Sequence, residues 1–470
     1  MEESFEQRKR EMLAECKVDG VELAAVADRL AAFVEPFAES LATREQRGQA
    51  RDYVAGLSSH LERKNVESIA YYHEQDRQAL QRFIGSSPWD HCPLLNELAR
   101  QVGQELGEAD GVLILDPSAF TKKGNGSVGV QRQWNGRLGK VDNCQVGVYL
   151  AYSSRRGAAL TNERLYLPKS WTSNPSRCRQ CGVPKEIGFA TKLEQSLEMI
   201  AEHGPHLPHA WVVGDDEFGR STQFRRNLRA AGEQYLLAVP SNTLIRDLGA
   251  TESGEAAGQA QNQGPFQRVD RWAAALPAEA WSTIDVRDGE KGPVLVAVAV
   301  TRVLAITERT REQATETLVV TRREENGQTV CDYFLSDAPV NTPRAEFARV
   351  ANSRQRVEQC FQFAKGETGL ADYEVRTWHG WHHHQTLSLL AAWFLTLETK
   401  RGKKDDPGPD RAATPYRHRA SSCASFRSRS TRTHRPRMPS ATRAQRTRPL
   451  LSPQKVPTST ATTSCTEKIG

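Results

Sequence analysis

The sequence predicts an α/β domain with a mixed sheet, interrupted by a β-rich segment, preceded by helices and followed by a basic tail. Three observations carry this reading. Short continuous apolar runs at Val112–Leu115, Trp211–Val213 and Tyr235–Val239 have the pattern of strands buried on both faces. Amphipathic helical patterns at Lys185–His203 and Ser221–Ala231 alternate with them, as an α/β sheet requires. Between 241 and 345 the alternation gives way to β-rich runs separated by turn signals.

The elements follow in order. Residues 1–108 read as helical, because Val21–Leu30 and Ala50–Leu61 place apolar residues at three- and four-residue steps, and Asn65 is a cap for a helix starting near Val66. A helical segment of this kind serves either as a structural cap or as a DNA-end-binding domain, and spacing does not choose between them. Residues 109–240 form the first part of the α/β core. Its first strand, Val112–Leu115, is expected to stop at Asp116-Pro117, and a glycine-rich stretch at 123–129 and a strand at Gln145–Tyr152 follow. The strand Trp211–Val213 ends at Gly214-Asp215. In 241–345, a polar Gly/Gln-rich loop (Gly249–Gly264) precedes strands at Val294–Val300, Thr317–Arg322 and Val330–Leu335, the last two joined by the hairpin signal Asn326-Gly327. Residues 346–400 return to the core, with a helix from Pro343 through Lys365 and an apolar helix at Gln385–Leu397.

Charge separates the last segment from the rest. Residues 401–470 hold 16 Lys+Arg against 4 Asp+Glu, a net of +12, so residues 1–400 are net −6 while the whole chain is +6. The basic character therefore belongs to the tail, and bulk charge does not make the folded part a nucleic-acid binder. With 19 Ser+Thr, 8 Pro and 4 Leu+Ile+Val, residues 401–470 cannot bury enough apolar surface to offset their ordering entropy, and are expected to be disordered.

No apolar run is long enough to span a bilayer, and the acidic start Met1-Glu2-Glu3-Ser4 lacks the pattern of a signal peptide. Nine scattered cysteines suit a reducing compartment, so a cytoplasmic protein without membrane partners is expected. Cys178 and Cys181 have zinc-ligand spacing but no second pair to complete a tetrahedron, and read as incidental thiols.

Three acidic residues are candidates for chemistry. Asp116 and Asp215 each end a buried strand, where α/β sheets build their sites, and Glu358 lies on the helix after the β-rich segment. Carboxylates are the hard oxygen donors that Mg2+ requires. On that helix Arg354, Glu358 and Lys365 fall within about 40° of one another, forming one polar stripe beside the apolar stripe Val357, Cys360, Phe361 and Ala364. A carboxylate between two cations on one ridge suits a site for metal and phosphate, although an Arg–Glu pair on a solvated helix has the same spacing. Lys122, Lys123, Arg132 and Lys140 cluster near Asp116 in sequence and are candidate phosphate contacts, with solvated loop charge as the alternative.

Several stretches in this order resemble the DDE transposases of bacterial insertion sequences, of the class with a β-insertion between the second Asp and the Glu. They are Leu113-Ile-Leu-Asp-Pro-Ser-Ala-Phe-Thr-Lys-Lys-Gly124, Ser127-Val-Gly-Val-Gln-Arg-Gln133, Leu138-Gly-Lys-Val-Asp-Asn-Cys-Gln-Val-Gly147 and Leu167-Pro-Lys-Ser-Trp171. The series continues with Gly214-Asp-Asp-Glu-Phe-Gly219, Val357-Glu-Gln-Cys-Phe-Gln-Phe-Ala-Lys-Gly-Glu367 and Trp378-His-Gly-Trp-His-His-His384. The resemblance implies an RNase H-like fold with Asp116, Asp215 and Glu358 as catalytic and metal-binding triad, and with two Mg2+ ions, for which Mn2+ substitutes. It also implies a substrate of double-stranded DNA, both transposon ends and target, and a homodimer when bound to it. Water would attack the transposon end, and the freed 3′-hydroxyl would then attack the target. Arg354 and Lys365 match the family's Tyr-Arg-Glu-Lys signature, whereas Ala351 stands at its Tyr position. A catalytically silent DNA-binding relic, and a nuclease that cuts without joining, are the competing readings.

Two further features are read as structural. His379 and His382–His384 are interrupted by Gly380 and Trp381 and contain no Asp or Glu, so packing and hydrogen bonding are expected of them. Trp272 and Trp281 are expected in the core of the β-rich segment.

Overall fold

The computed structural model describes residues 25–249, 264–289, 292–307, 313–325 and 327–404. All lie in the first of the two units into which the chain divides, 1–418 and 419–470. The expectations for residues 21–24, for most of the loop 249–264, for Asn326 and for the tail beyond Lys404 fall outside the described residues.

The chain opens with helices α1 (Val26–Ala38), α2 (Arg44–Leu57), α3 (Val66–Tyr72), α4 (Arg77–Gly85) and α5 (Cys92–Leu106). Capping sets their starts. Thr43 and Gln46 form a reciprocal capping box, so α2 begins before the Ala50 that periodicity alone suggests. Asn65 caps α3 as expected, accepting from the Ser68 N–H at 2.9 Å.

The α/β part continues with β1 (Val112–Thr121), β2 (Gln131–Asn135), β3 (Lys140–Ser154), β4 (Gly157–Leu165), α6 (Lys169–Thr172), α7 (Pro175–Gln180), α8 (Lys192–His203), β5 (Trp211–Gly214), α9 (Asp216–Gly219), α10 (Thr222–Ala230) and β6 (Tyr235–Val239). It proceeds through β7 (Leu244–Gly249), β8 (Gln267–Arg268), α11 (Val269–Ala274), β9 (Ser282–Gly289), β10 (Gly292–Ile306), β11 (Gln313–Glu325) and β12 (Gln328–Ser336), and closes with α12 (Arg344–Glu367) and α13 (Trp378–Lys404).

Three further boundaries differ from the sequence reading in ways the structure explains. Strand β1 does not stop at Asp116-Pro117 but runs to Thr121. Its pairing with β5 ends at Leu115, whereas its pairing with β3 continues to Thr121. Pro117, which has no N–H to give, therefore sits where one side of the strand has no partner from β5. Helix α8 starts at Lys192 rather than Lys185, because Thr191 and Glu194 form a second capping box. Helix α13 begins at Trp378, ahead of the apolar stretch from Gln385, because its first turns bury histidines.

Among the described residues the strands form one mixed sheet of order β2-β3-β1-β5-β6-β12-β11-β10-β7-β8, with β4 on β3 and β9 on β10. β1, β5 and β6 are parallel, and β12 joins β6 antiparallel. The strands of 241–345 thus extend the same sheet. The β11–β12 hairpin pairs Glu325 with Gln328 around Gly327, whose φ of +76° is the conformation the Asn-Gly signal selects. Trp272 is buried beneath these strands, where its Nε1 donates to Asp247 Oδ2 at 2.9 Å, and Trp281 packs against the same cluster. A buried Arg225 on α10 makes a bidentate pair with Glu316 on β11 (2.8 and 3.0 Å), and Tyr235 of β6 also donates to Glu316. This network ties β11 to the turn after β5.

One apolar core runs from α1–α5 through the sheet to α12 and α13. Lys64 is buried between α2 and α3, and its Nζ donates to Leu57 O (2.8 Å), Ser59 O (2.5 Å) and Glu367 O, the last residue of α12. Among the described residues no helix is long and apolar enough to cross a membrane.

Candidate active site

Strand register brings the two aspartates together. β1 and β5 pair in parallel with Leu115 opposite Gly214. Asp116 and Asp215 therefore each follow the last position at which β1 and β5 pair, on strands whose axes are about 4.8 Å apart. Asp215 Oδ1 caps the short turn α9, accepting from the Glu217 N–H at 2.9 Å. That turn lies so close to β6 that a Cβ on Gly219 would stand 1.8 Å from the Ala238 carbonyl oxygen, so only glycine fits.

Helix α12 supplies the third carboxylate. Its Val357, Cys360, Phe361 and Ala364 are buried against the sheet, while Glu358 is exposed. Phe361 meets Tyr149 of β3 edge to face at 5.0 Å, and Trp211 of β5 donates to Glu346 at 2.8 Å, which fixes the helix along the strand ends. Lys365 points back to β1, donating to Ser118 Oγ at 2.7 Å and lying over the rings of Phe361 and Phe120.

Electrostatics reports the convergence. Burial pushes the Asp116 carboxyl up to about 7, the charges of Asp215 and Glu358 push the same way, and Arg354 and Lys365 oppose them. Asp215 is also raised, by burial and by Glu217 and Asp216, against Arg354 and the Glu217 N–H. The other four residues of the candidate constellation thus act on the Asp116 carboxylate. The three carboxylates do not lie within 4.8 Å of one another; among the described residues the sets that do are Asp90–His91–Cys92 and His91–Glu163–His382.

The other sequence candidates divide. Lys122 is packed over the Tyr373 ring at 3.4 Å and donates to Tyr373 O at 3.2 Å, and burial lowers its ammonium to about 8. Lys123, Arg132 and Lys140 are exposed, the last 3.9 Å from Asp142. Arg132 and Lys140 share the β2–β3 hairpin, which also exposes Trp134 and Val141. The Cys178 and Cys181 thiols face the carbonyls of Trp171 (3.2 Å) and Gly126 (3.6 Å). His383 and His384 are buried and bonded to Trp89 O and Gly369 O, both at 2.9 Å, in keeping with a packing role. His382 differs: Glu163 of β4 lies 3.1 Å from its Nδ1, an acidic partner that local sequence did not reveal.

Comparison with known proteins supplies the family. Residues 36–293 match the family described as DDE superfamily endonuclease, a span that contains both aspartates, while Glu358 lies outside it. A probable transposase for insertion sequence element IS701 from Microchaete diplosiphon is 37% identical over 94 residues, which cover 20% of this chain and 25% of that relative. The parallel strand ends carrying Asp116 and Asp215 lie within a match to more than half of the chain, which belongs to the DDE superfamily of endonucleases.

Proposed function

We propose that the protein is an insertion-sequence transposase that binds transposon ends, cleaves DNA and joins the freed 3′-hydroxyl to a target. The observation that carries this reading is the arrangement of Asp116 beside Asp215 with Glu358 and Lys365 brought over them by α12. The order β4-β3-β1-β5-β6, three antiparallel strands followed by two parallel to β1, supports an RNase H-like core. On this reading residues 1–108 bind the DNA ends, 241–345 are the insertion, and the protein is a dimer on DNA.

The donor set fits divalent metal. Three carboxylates offer hard oxygen ligands, and burial together with two neighbouring carboxylates raises the Asp116 carboxyl against two cations. Asp116, Asp215 and Glu358 would hold Mg2+ ions, with Mn2+ as a substitute, and the bound metal lowers the pKa of water and neutralises charge on the scissile phosphate. The protein's own groups supply positioning. Ser118 orients Lys365, and Arg354 and Lys365 present positive charge to phosphate oxygens along the ridge that carries Glu358. The β2–β3 hairpin, with Arg132 and Lys140, extends this positive edge toward the DNA backbone.

A strand-joining assay separates this reading from its rivals. Purified chain is incubated with Mg2+, a pre-cut transposon end bearing a 3′-hydroxyl, and a target plasmid. Joined products support the transposase. Cleavage without joining identifies a nuclease, and binding without either identifies a relic.

A further inference from the structure

We propose that His91, Glu163 and His382 form a second metal site, distinct from the DDE carboxylates and suited to Zn2+, that clamps the helical segment to the sheet. The three residues come from separate elements: His91 immediately precedes α5, Glu163 is on β4 and His382 is on α13. One ligand atom from each lies within 4.8 Å of the other two. Glu163 Oε1 is 3.1 Å from His382 Nδ1, and the His91 ring stacks on the His382 ring with centroids 4.5 Å apart. Further donors stand beside His91: Cys92 Sγ is 4.0 Å from its Nε2 and Asp90 Oδ1 is 3.9 Å from its Nδ1.

The second observation is polar dissatisfaction. Glu163 is fully buried and His382 is 1% exposed, yet Glu163 Oε2 and His382 Nε2 have no hydrogen-bond partner. Buried polar atoms without a partner destabilise the fold. The neighbouring cation Arg164 is committed elsewhere, to Glu202 and Asn162. A divalent ion held between these side chains would give the buried Glu163 carboxylate and the His382 imidazole the partner they lack. Two imidazoles and a carboxylate are the borderline donors that Zn2+ prefers and Mg2+ does not. Burial suits a structural ion, which would join α5, β4 and α13 at one point.

The test uses the full chain, purified without a metal-affinity column, loaded with Zn2+ and dialysed against metal-free buffer. Elemental analysis should find about one zinc per chain. His91→Ala, at a partly exposed position before a helix, and the isosteric Glu163→Gln should each lower that occupancy more than about tenfold while circular dichroism stays native. Co2+ in place of Zn2+ should give visible absorption bands that both variants lose. Asp116→Asn should keep its zinc. The proposal is overturned if folded wild-type chain retains no zinc, if both variants bind like wild type, or if zinc is lost with Asp116→Asn, which would assign the metal to the DDE carboxylates.

Discussion

Lys365 Nζ donates to Ser118 Oγ at 2.7 Å, which pins the helix bearing Glu358 to the strand bearing Asp116. The two residues are far apart in sequence, and Ser118 lies two positions beyond Asp116 on the part of β1 that sequence patterning did not assign to a strand. Lys365→Ala is expected to lower strand cleavage by about 10–100-fold, and Ser118→Ala by less. Because the pair acts as a unit, the double variant should be little worse than Lys365→Ala alone. Additive losses in a cleavage assay would show that Lys365 acts without Ser118.

Asp116→Asn, Asp215→Asn and Glu358→Gln should each reduce cleavage of an end-bearing oligonucleotide by at least about 10²-fold. Binding of the same DNA in a gel-shift assay should persist. Variants that lose binding and cleavage together would mark these carboxylates as structural.

Replacing Lys123, Arg132 or Lys140 by Ala should weaken DNA binding uniformly across sequences, and each should reduce the slope of log affinity against log salt by about one. Lys122→Ala should change the slope less, since its ammonium is already held on Tyr373. Equal effects at all four positions would contradict the geometry.

Glu316→Gln leaves Arg225 buried with half of its bidentate partner gone. Breaking a buried ion pair costs about 3–5 kcal/mol, so the urea midpoint should fall sharply. A change under about 1 kcal/mol would show that the Tyr235 and Gly219 contacts suffice without the charge.

His209 provides a pH signature. Burial lowers its pKa, but the hydrogen bonds to Glu233 Oε2 (2.9 Å) and Leu207 O (2.6 Å) outweigh this, and the net shift is upward. The stabilisation is fully present below the unfolded value of about 6.5 and is lost as pH rises through the higher folded value. His209→Gln should therefore cost on the order of 1 kcal/mol near pH 6 and little near pH 9, measured by urea melts. A cost independent of pH would mean that the ring acts by packing.

What sequence made legible was governed by range. Buried strands announce themselves through short apolar runs, so β5, β6 and the start of β1 were visible, as was the polar stripe of α12. Strand β4 was not, because Asn162, Glu163 and Arg164 make it read as a polar connection, and its burial depends on α13 and α5 packing over it. For the same reason the histidines of α13 looked incomplete. The carboxylate they meet is over two hundred residues away, and only the fold brings it near. The Asp116–Asp215 proximity was suggested by two strand ends, but the register that sets it, Leu115 opposite Gly214, is a property of the sheet.

Lys64 bears on how this protein can diverge. Its ammonium donates to three main-chain carbonyls, at the end of α2, in the following turn and at the last residue of α12. Main-chain atoms survive side-chain substitution, so these three contacts persist when the side chains at 57, 59 and 367 change, whereas they end if Lys64 is replaced. The same contact makes the N-terminal helices a poor unit of exchange. A chimera that grafts them from a relative lacking a lysine at this point would inherit carbonyls without a donor beneath the helix that carries Glu358. Recombination between such proteins should therefore succeed most readily at breakpoints that keep residues 25–404 together.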